Sequence, residues 1–259
     1  MPFRKDDFND LIQAKTVLEN PGMAVKMTHL IGAPLEKGFD LLPEDWRFKV
    51  GELTQAALTK AIHAAISTMR KAPPGGSSNR WHKIAVAATG GIGGFFGLGA
   101  LAAELPLSTA IMLRSIADIA RSEGESIHSI ETKMACLEVF ALGGAGPQDD
   151  AAEAGYFAIR AALAQTLTRA TGYIAQKGLV EEGAPALVRL IVAIAQRFSI
   201  QVSQKAAAQA VPAIGAAGGA IINTIFIDHF QDMARGHFII RRLERVYGKA
   251  AVEAAYKAL

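Results

Sequence analysis

Cysteine is nearly absent from this chain: Cys136, within KMACLEVFAL, is the only one in 259 residues. An intramolecular disulfide is therefore excluded, and a lone cysteine with apolar flanks reads as a buried, inert thiol in a reducing compartment. A strong charge of either sign is also missing. Lys and Arg number 27 against 24 Asp and Glu, a formal net charge of +3, too little for a general nucleic-acid binder. The opening MPFRKDDFNDLIQAK is charged throughout. It lacks the apolar core and small-residue cleavage site of a secretory signal, so the expected location is the cytoplasm, peripherally on the inner face of a membrane. Familiar catalytic signatures are missing as well: there is no G-x-x-x-x-G-K-[ST], no H-E-x-x-H and no G-x-S-x-G. GLGALA at 97–102 satisfies G-x-G-x-x-A by letter. A dinucleotide site, however, needs a preceding strand inside a βαβ unit, and these flanks are alanine-rich and helical. No cofactor is expected.

What the chain does contain is helix-forming sequence. Hydrophobic residues make up 51% and charged residues 20%, with a mean hydropathy of +0.22. Much of the apolar fraction is alanine, and alternating β-branched runs are scarce, so helix is expected nearly everywhere. Helical spacing marks 6–19, 44–72, a helix opened by Pro106, 128–144 with Ser129 as N-cap, 146–178 and 183–210. A further glycine-rich segment then runs into the tail QDMARGHFIIRRLERVYGK. PPGGSSN at 73–79 is the clearest loop. It divides an N-terminal helical arm, 1–79, from a helical bundle, 80–259. The fold class is all-α, a multi-helix bundle.

Two glycine-rich apolar stretches stand out. Ile84 to Ala103 and Ala206 to Ile227 carry no charge and are long enough to cross a bilayer. Glycine and alanine contribute little transfer energy, however, and insertion would be marginal. The favoured reading is that Gly90, Gly94, Gly97, Gly215 and Gly219, at small-xxx-small spacing, let helices pack backbone to backbone in two central hairpins. An offset of 114 positions sets TAIMLRSIADIAR against NTIFIDHFQDMAR. It matches Asp118 to Asp232 and Arg121 to Arg235, and puts Arg114 opposite Asp228. This pattern is read as an internal pseudo-duplication, with the two hairpins facing each other.

The charges on these helices allow several readings. Arg114, Asp118 and Arg121 share one helix face, as do Asp228, Asp232 and Arg235. Arg114 pairing to Asp228 across the bundle would fix register. Asp228, His229, Asp232 and His237, with Glu104, form the best available set for a metal or for acid–base chemistry, but their spacing matches no established ligand pattern. No metal site is therefore assigned. Arg241, Arg242, Arg245 and Lys249 interleave with apolar residues as in a basic helix lying on an anionic membrane.

On LPLSTAIMLRSIADIARSEGE, the glycine-rich run before it and IDHFQDMARGHFIIRRLER near the end, the chain resembles the EcsC family of bacterial proteins from about Leu30 to Tyr247. The resemblance implies a mostly helical, membrane-associated accessory protein, since the family takes its name from a protein encoded beside the subunits of an ABC transporter. It implies no catalytic residues. The leading expectation is a non-enzymatic accessory protein docked peripherally on the cytoplasmic membrane face, with an anionic surface, a lipid or ABC transporter subunits as partner and no nucleic acid. Two alternatives stay open: an enzyme, metal-dependent or hydrolase-like, built on the Glu/Asp/His set, and a soluble bundle holding an apolar small molecule.

Overall fold

The computed structural model describes residues 3–19, 22–32, 35–69, 98–143, 155–177, 184–211 and 215–259. They form helices α1 (Lys5–Glu19), α2 (Gly22–Ile31), α3 (Leu35–Phe39), α4 (Trp46–Met69), α5 (Leu98–Ser122) and α6 (Ile130–Glu138). After a 3-10 turn (Val139–Ala141) come α7 (Tyr156–Lys177), α8 (Pro185–Ala210), α9 (Gly215–Tyr247) and α10 (Lys249–Ala258). No strand occurs among the described residues, and the fold is an all-α bundle as expected.

The longest helix, α9, is the hub. Ile222, Phe226, Phe230, Met233 and Phe238 recur every three to five positions along it, and all are buried, which is the stripe an amphipathic helix turns toward a core. Phe226 and Phe230 meet Phe198 of α8 and Phe140 of the 3-10 turn in an aromatic cluster, with centroids 4.9–6.0 Å apart. Against α9 lie α1, α2, α5, α8 and α10, while α4 packs on α5 and α8. The N-terminal segment, expected as an arm, supplies Leu11, Met27, Trp46 and Leu58 to this same core. Cys136 is sealed inside α6, 1% exposed, and burial pushes its thiol well above the usual range.

Helix boundaries follow local chemistry in most places. Ser129 caps α6 as expected, its hydroxyl accepting from the Thr132 N–H at 3.1 Å. Pro106 is a correction: it lies inside α5 rather than opening it. Proline there removes one backbone hydrogen bond, but the turn before it buries Leu101, Glu104 and Leu105, and that packing carries the helix through. The helix expected over 183–210 ends at Ala210, and α9 begins at Gly215, so the second charge-free run falls on two helices. Among the described residues the one helix long and apolar enough to cross a membrane is α8, with 44% of its apolar window buried inside the protein.

Gly90, Gly94 and Gly97 lie outside the described residues. Gly215 is the first residue of α9, and Gly219 is buried one turn on. Close helix packing occurs at two glycines that the sequence pattern did not mark, against backbone at Gly38 and against side chains at Gly236. A Cβ on Gly38 of α3 would collide with the Ala207 carbonyl of α8, and one on Gly236 of α9 would press into Leu18 and Val17 of α1. These two positions set how closely the N-terminal helices approach the bundle.

Candidate functional site

Arg114 and Asp228 do not form the expected cross-bundle pair. Arg114 is exposed and Asp228 half-buried. A polar contact between α5 and α9 is made one residue beyond Arg114 and three beyond Asp228, where Gln231 Nε2 donates to Ser115 Oγ at 2.8 Å. One residue turns a helix by about 100°, enough to carry Arg114 into solvent. The other charges pair along their own helices, Arg121 with Asp118 at 2.8 Å and Arg235 with Asp232 at 2.6 Å.

The Glu/Asp/His set is dispersed. Glu104 of α5 takes a hydrogen bond from Lys205 Nζ of α8 at 2.5 Å. Lys205 is fully buried, with its ammonium 5.0 Å from the Phe226 ring centroid. Burial lowers the pKa of Lys205, and the Glu104 carboxylate opposes the shift. His229 is buried edge-on to Phe230, where burial, helped by Lys26, holds its imidazole down to about 4. Asp232 is half-buried and pairs with Arg235. No three His, Cys, Asp or Glu side chains gather as a metal would require among the described residues.

His237 is drawn into a different arrangement. Its Nδ1 lies 2.9 Å from the Tyr156 hydroxyl of α7, and its Nε2 lies 3.7 Å from Glu138 Oε2 at the end of α6. All three residues are at least 95% buried. Burial pushes the Glu138 carboxyl up to about 7, against the pull of Arg160 and Arg241. It drives His237 well below, and Tyr156 well above, their ordinary ranges. Beside them Arg160 grips Glu244 through two hydrogen bonds of 2.7 and 3.0 Å and lies over the Tyr156 and Phe157 rings. Two-point Arg–carboxylate bonding of this kind fixes orientation as well as adding energy.

Tyr156 also forms part of the wall of a cleft of about 630 Å³ between α1, α7 and α10, with Phe157, Tyr256, Lys15, Glu253 and Lys257 around it. The charges at its rim are matched within single helices, Lys257 to Glu253 at 2.7 Å and Lys15 to Glu19 at 4.0 Å. Lys15 also donates to the Tyr256 carbonyl at 3.0 Å.

The basic row at the end of α9 is paired internally. Glu125 accepts from Arg241 Nε at 2.9 Å and from Arg245. Arg242 bonds Asp10 of α1 at 2.6 Å and lies 3.0 Å from Glu123. Asp7 accepts from Tyr247 at 2.6 Å and from Arg4 at 2.8 Å. Although burial pulls Glu125 up, the bonds from Arg241 and Thr132 hold it below its usual value. Lys249 is exposed.

Sequence reasoning missed Lys205, Glu138, Tyr156, Arg160 and Glu244. A signal existed for Lys205: Phe198, Val202 and Lys205 fall at i, i+4 and i+7, so a lysine occupies a core phase of an apolar helix. The other partners lie far apart in the chain and left no local pattern.

The model of the EcsC protein family matches residues 8–243 of the chain. The match starts earlier than Leu30 and runs across the 79/80 boundary. No curated protein and no solved structure matches.

Proposed function

Because this chain belongs to the EcsC protein family, we propose that it is a non-enzymatic accessory protein that docks peripherally on the cytoplasmic face of a membrane. The observation that carries the reading is an apolar projection around the α3–α4 junction, from the last residue of α3 to the first turn of α4. Phe39, Leu41 and Phe48 are 40%, 56% and 72% exposed within ten residues, and Phe48 is the most exposed large apolar side chain among the described residues. Single apolar residues at a surface are ordinary, but three large ones around one helix–turn–helix junction are the kind of feature that enters the interfacial zone of a bilayer.

Charge refines the mode of docking. Arg241, Arg242 and Arg245 already hold carboxylates of the same chain, so they have little to offer acidic headgroups. The apolar projection is flanked by Asp40, Glu44 and Asp45 as well as Lys37 and Lys49, and Lys49 is paired with Asp45. Docking through it rests on apolar insertion and needs no anionic lipid. A transporter subunit could then meet the protein at the surface where it is already held.

Flotation with phosphatidylcholine vesicles, with and without phosphatidylglycerol, tests the reading. The protein is expected to float with both, to the same extent at 0.1 and 0.5 M NaCl, and Leu41→Asp/Phe48→Asp is expected to stay at the bottom while remaining folded. Failure of the parent protein to float with either vesicle would sink it. Binding restricted to anionic vesicles and stripped by salt would move the docking surface to basic residues.

A further inference from the structure

The Nε2 of His237 is buried without a hydrogen-bond partner and faces the Oε2 of Glu138. The two atoms are 3.7 Å apart, beyond the 2.7–3.2 Å of a formed bond. A buried imidazole nitrogen left without a partner is costly, and closing this gap around one proton satisfies it. On its other side His237 is already bonded at Nδ1 to Tyr156. An imidazole so placed has two neutral arrangements, because whichever nitrogen carries hydrogen donates and the other accepts.

We propose that Glu138, His237 and Tyr156 form a proton-operated relay whose hydrogen-bond direction reverses when one proton is gained. In the anionic arrangement the Tyr156 O–H donates to Nδ1, and Nε2–H donates to the Glu138 carboxylate. Adding one proton leaves Glu138 as the acid donating to Nε2, with hydrogen now on Nδ1 donating to the Tyr156 oxygen. The first arrangement holds two mobile protons and the second three, and the imidazole is neutral in both. What changes is Tyr156: its hydroxyl hydrogen, held inward by the imidazole in one form, is released in the other, on a ring that walls the cleft.

The surroundings place the changeover near neutrality. From α7, Tyr156 and Arg160 face the pair; from α9, Arg241 and Glu244; from α10, Lys249 acts on Glu138 and Tyr256 on Tyr156. Burial disfavours both the carboxylate and the imidazolium, while the two arginines restore part of the carboxylate and oppose the imidazolium further. Glu138 accordingly gains its proton at about pH 7, where His237 stays neutral. The relay does not rest on the docking reading.

The test is a ring-nitrogen titration of ¹⁵N-histidine-labelled full chain between pH 5.5 and 8.5, with His237 assigned by loss of its signals in His237→Phe. The hydrogen is expected to sit on Nε2 at high pH and on Nδ1 at low pH. The switch should share its midpoint, near 7, with the ¹³C carboxyl signal of Glu138. Glu138→Leu is expected to freeze His237 in one tautomer across the range. An imidazolium pattern for His237 above pH 5.5, one unchanging tautomer in the parent protein, or midpoints that do not coincide would each overturn the relay. The parent titration decides even where Glu138→Leu does not fold.

Discussion

Lys205–Glu104 and Arg242–Asp10 are nearly identical as contacts, 2.5 and 2.6 Å between a cationic nitrogen and a carboxylate oxygen. They differ in surroundings. The side chains of the first pair are 0% and 4% exposed; those of the second are 32% and 35%. In the first, desolvation of both ions must be offset by their attraction and one short bond; in the second, water screens the attraction and the loss alike. The same geometry therefore serves different ends. The inner pair fixes how α5 and α8 meet, because either charge alone is intolerable there. The outer group, with Arg241, Arg245, Glu123 and Glu125, tacks α1 and the turn after α5 onto the end of α9.

The sharpest way to break this contrast is at the inner pair. Lys205→Met should cost about 3–5 kcal/mol in urea unfolding, because it leaves Glu104 buried and unpaired, whereas Lys205→Met/Glu104→Leu should return to within about 1 kcal/mol of the parent. A single variant as stable as the parent would mean that water reaches the pair.

Acid offers a second, smaller test, because it charges a buried group that has no counter-ion among the described residues. His229 is held neutral, titrating at about 4 against about 6.5 in the unfolded chain. The unfolded state thus binds the extra proton between those values. The stability that His229 contributes is complete above 6.5 and is lost as pH falls toward 4. Replacing it with leucine should flatten that limb of the stability curve by about 2–3 kcal/mol. An unchanged slope would assign the acid sensitivity elsewhere.

The smallest effect is expected at the outer network. Arg242→Gln should cost less than about 1 kcal/mol at low salt, and the difference should shrink in 1 M NaCl. A larger, salt-independent loss would place Arg242 with the inner pair.

The helices themselves were legible because their information is local. Apolar periodicity gave α1, α4, α8 and most of α9, and the Ser129 cap was visible from its own hydroxyl and the residues after it. Pro106 misled because a local rule was overridden by the burial of Leu101 and Leu105. The Arg114–Asp228 expectation rested on correct helices placed face to face, α5 and α9, but periodicity gives a helix's apolar side only to within a residue or so. One residue of rotation exchanged Arg114 for Ser115. The buried polar groups were least visible of all. Tyr156 and His237 are 81 positions apart and Lys205 and Glu104 are 101, and no single-chain pattern says which distant polar residue will supply a partner. Close-packing glycines were sought in clusters, of which Gly90, Gly94 and Gly97 lie outside the described residues; Gly38 and Gly236 pack singly, each opposite a neighbour that sequence could not identify.

The sealed thiol of Cys136 gives the molecule a built-in clock. An alkylating reagent in solution has no route to a sulfur enclosed on every side and kept protonated by its surroundings, so modification must wait for α6 to come away from its neighbours. The labelling rate of the untouched protein then reads out how often that part of the bundle breathes, with no probe introduced.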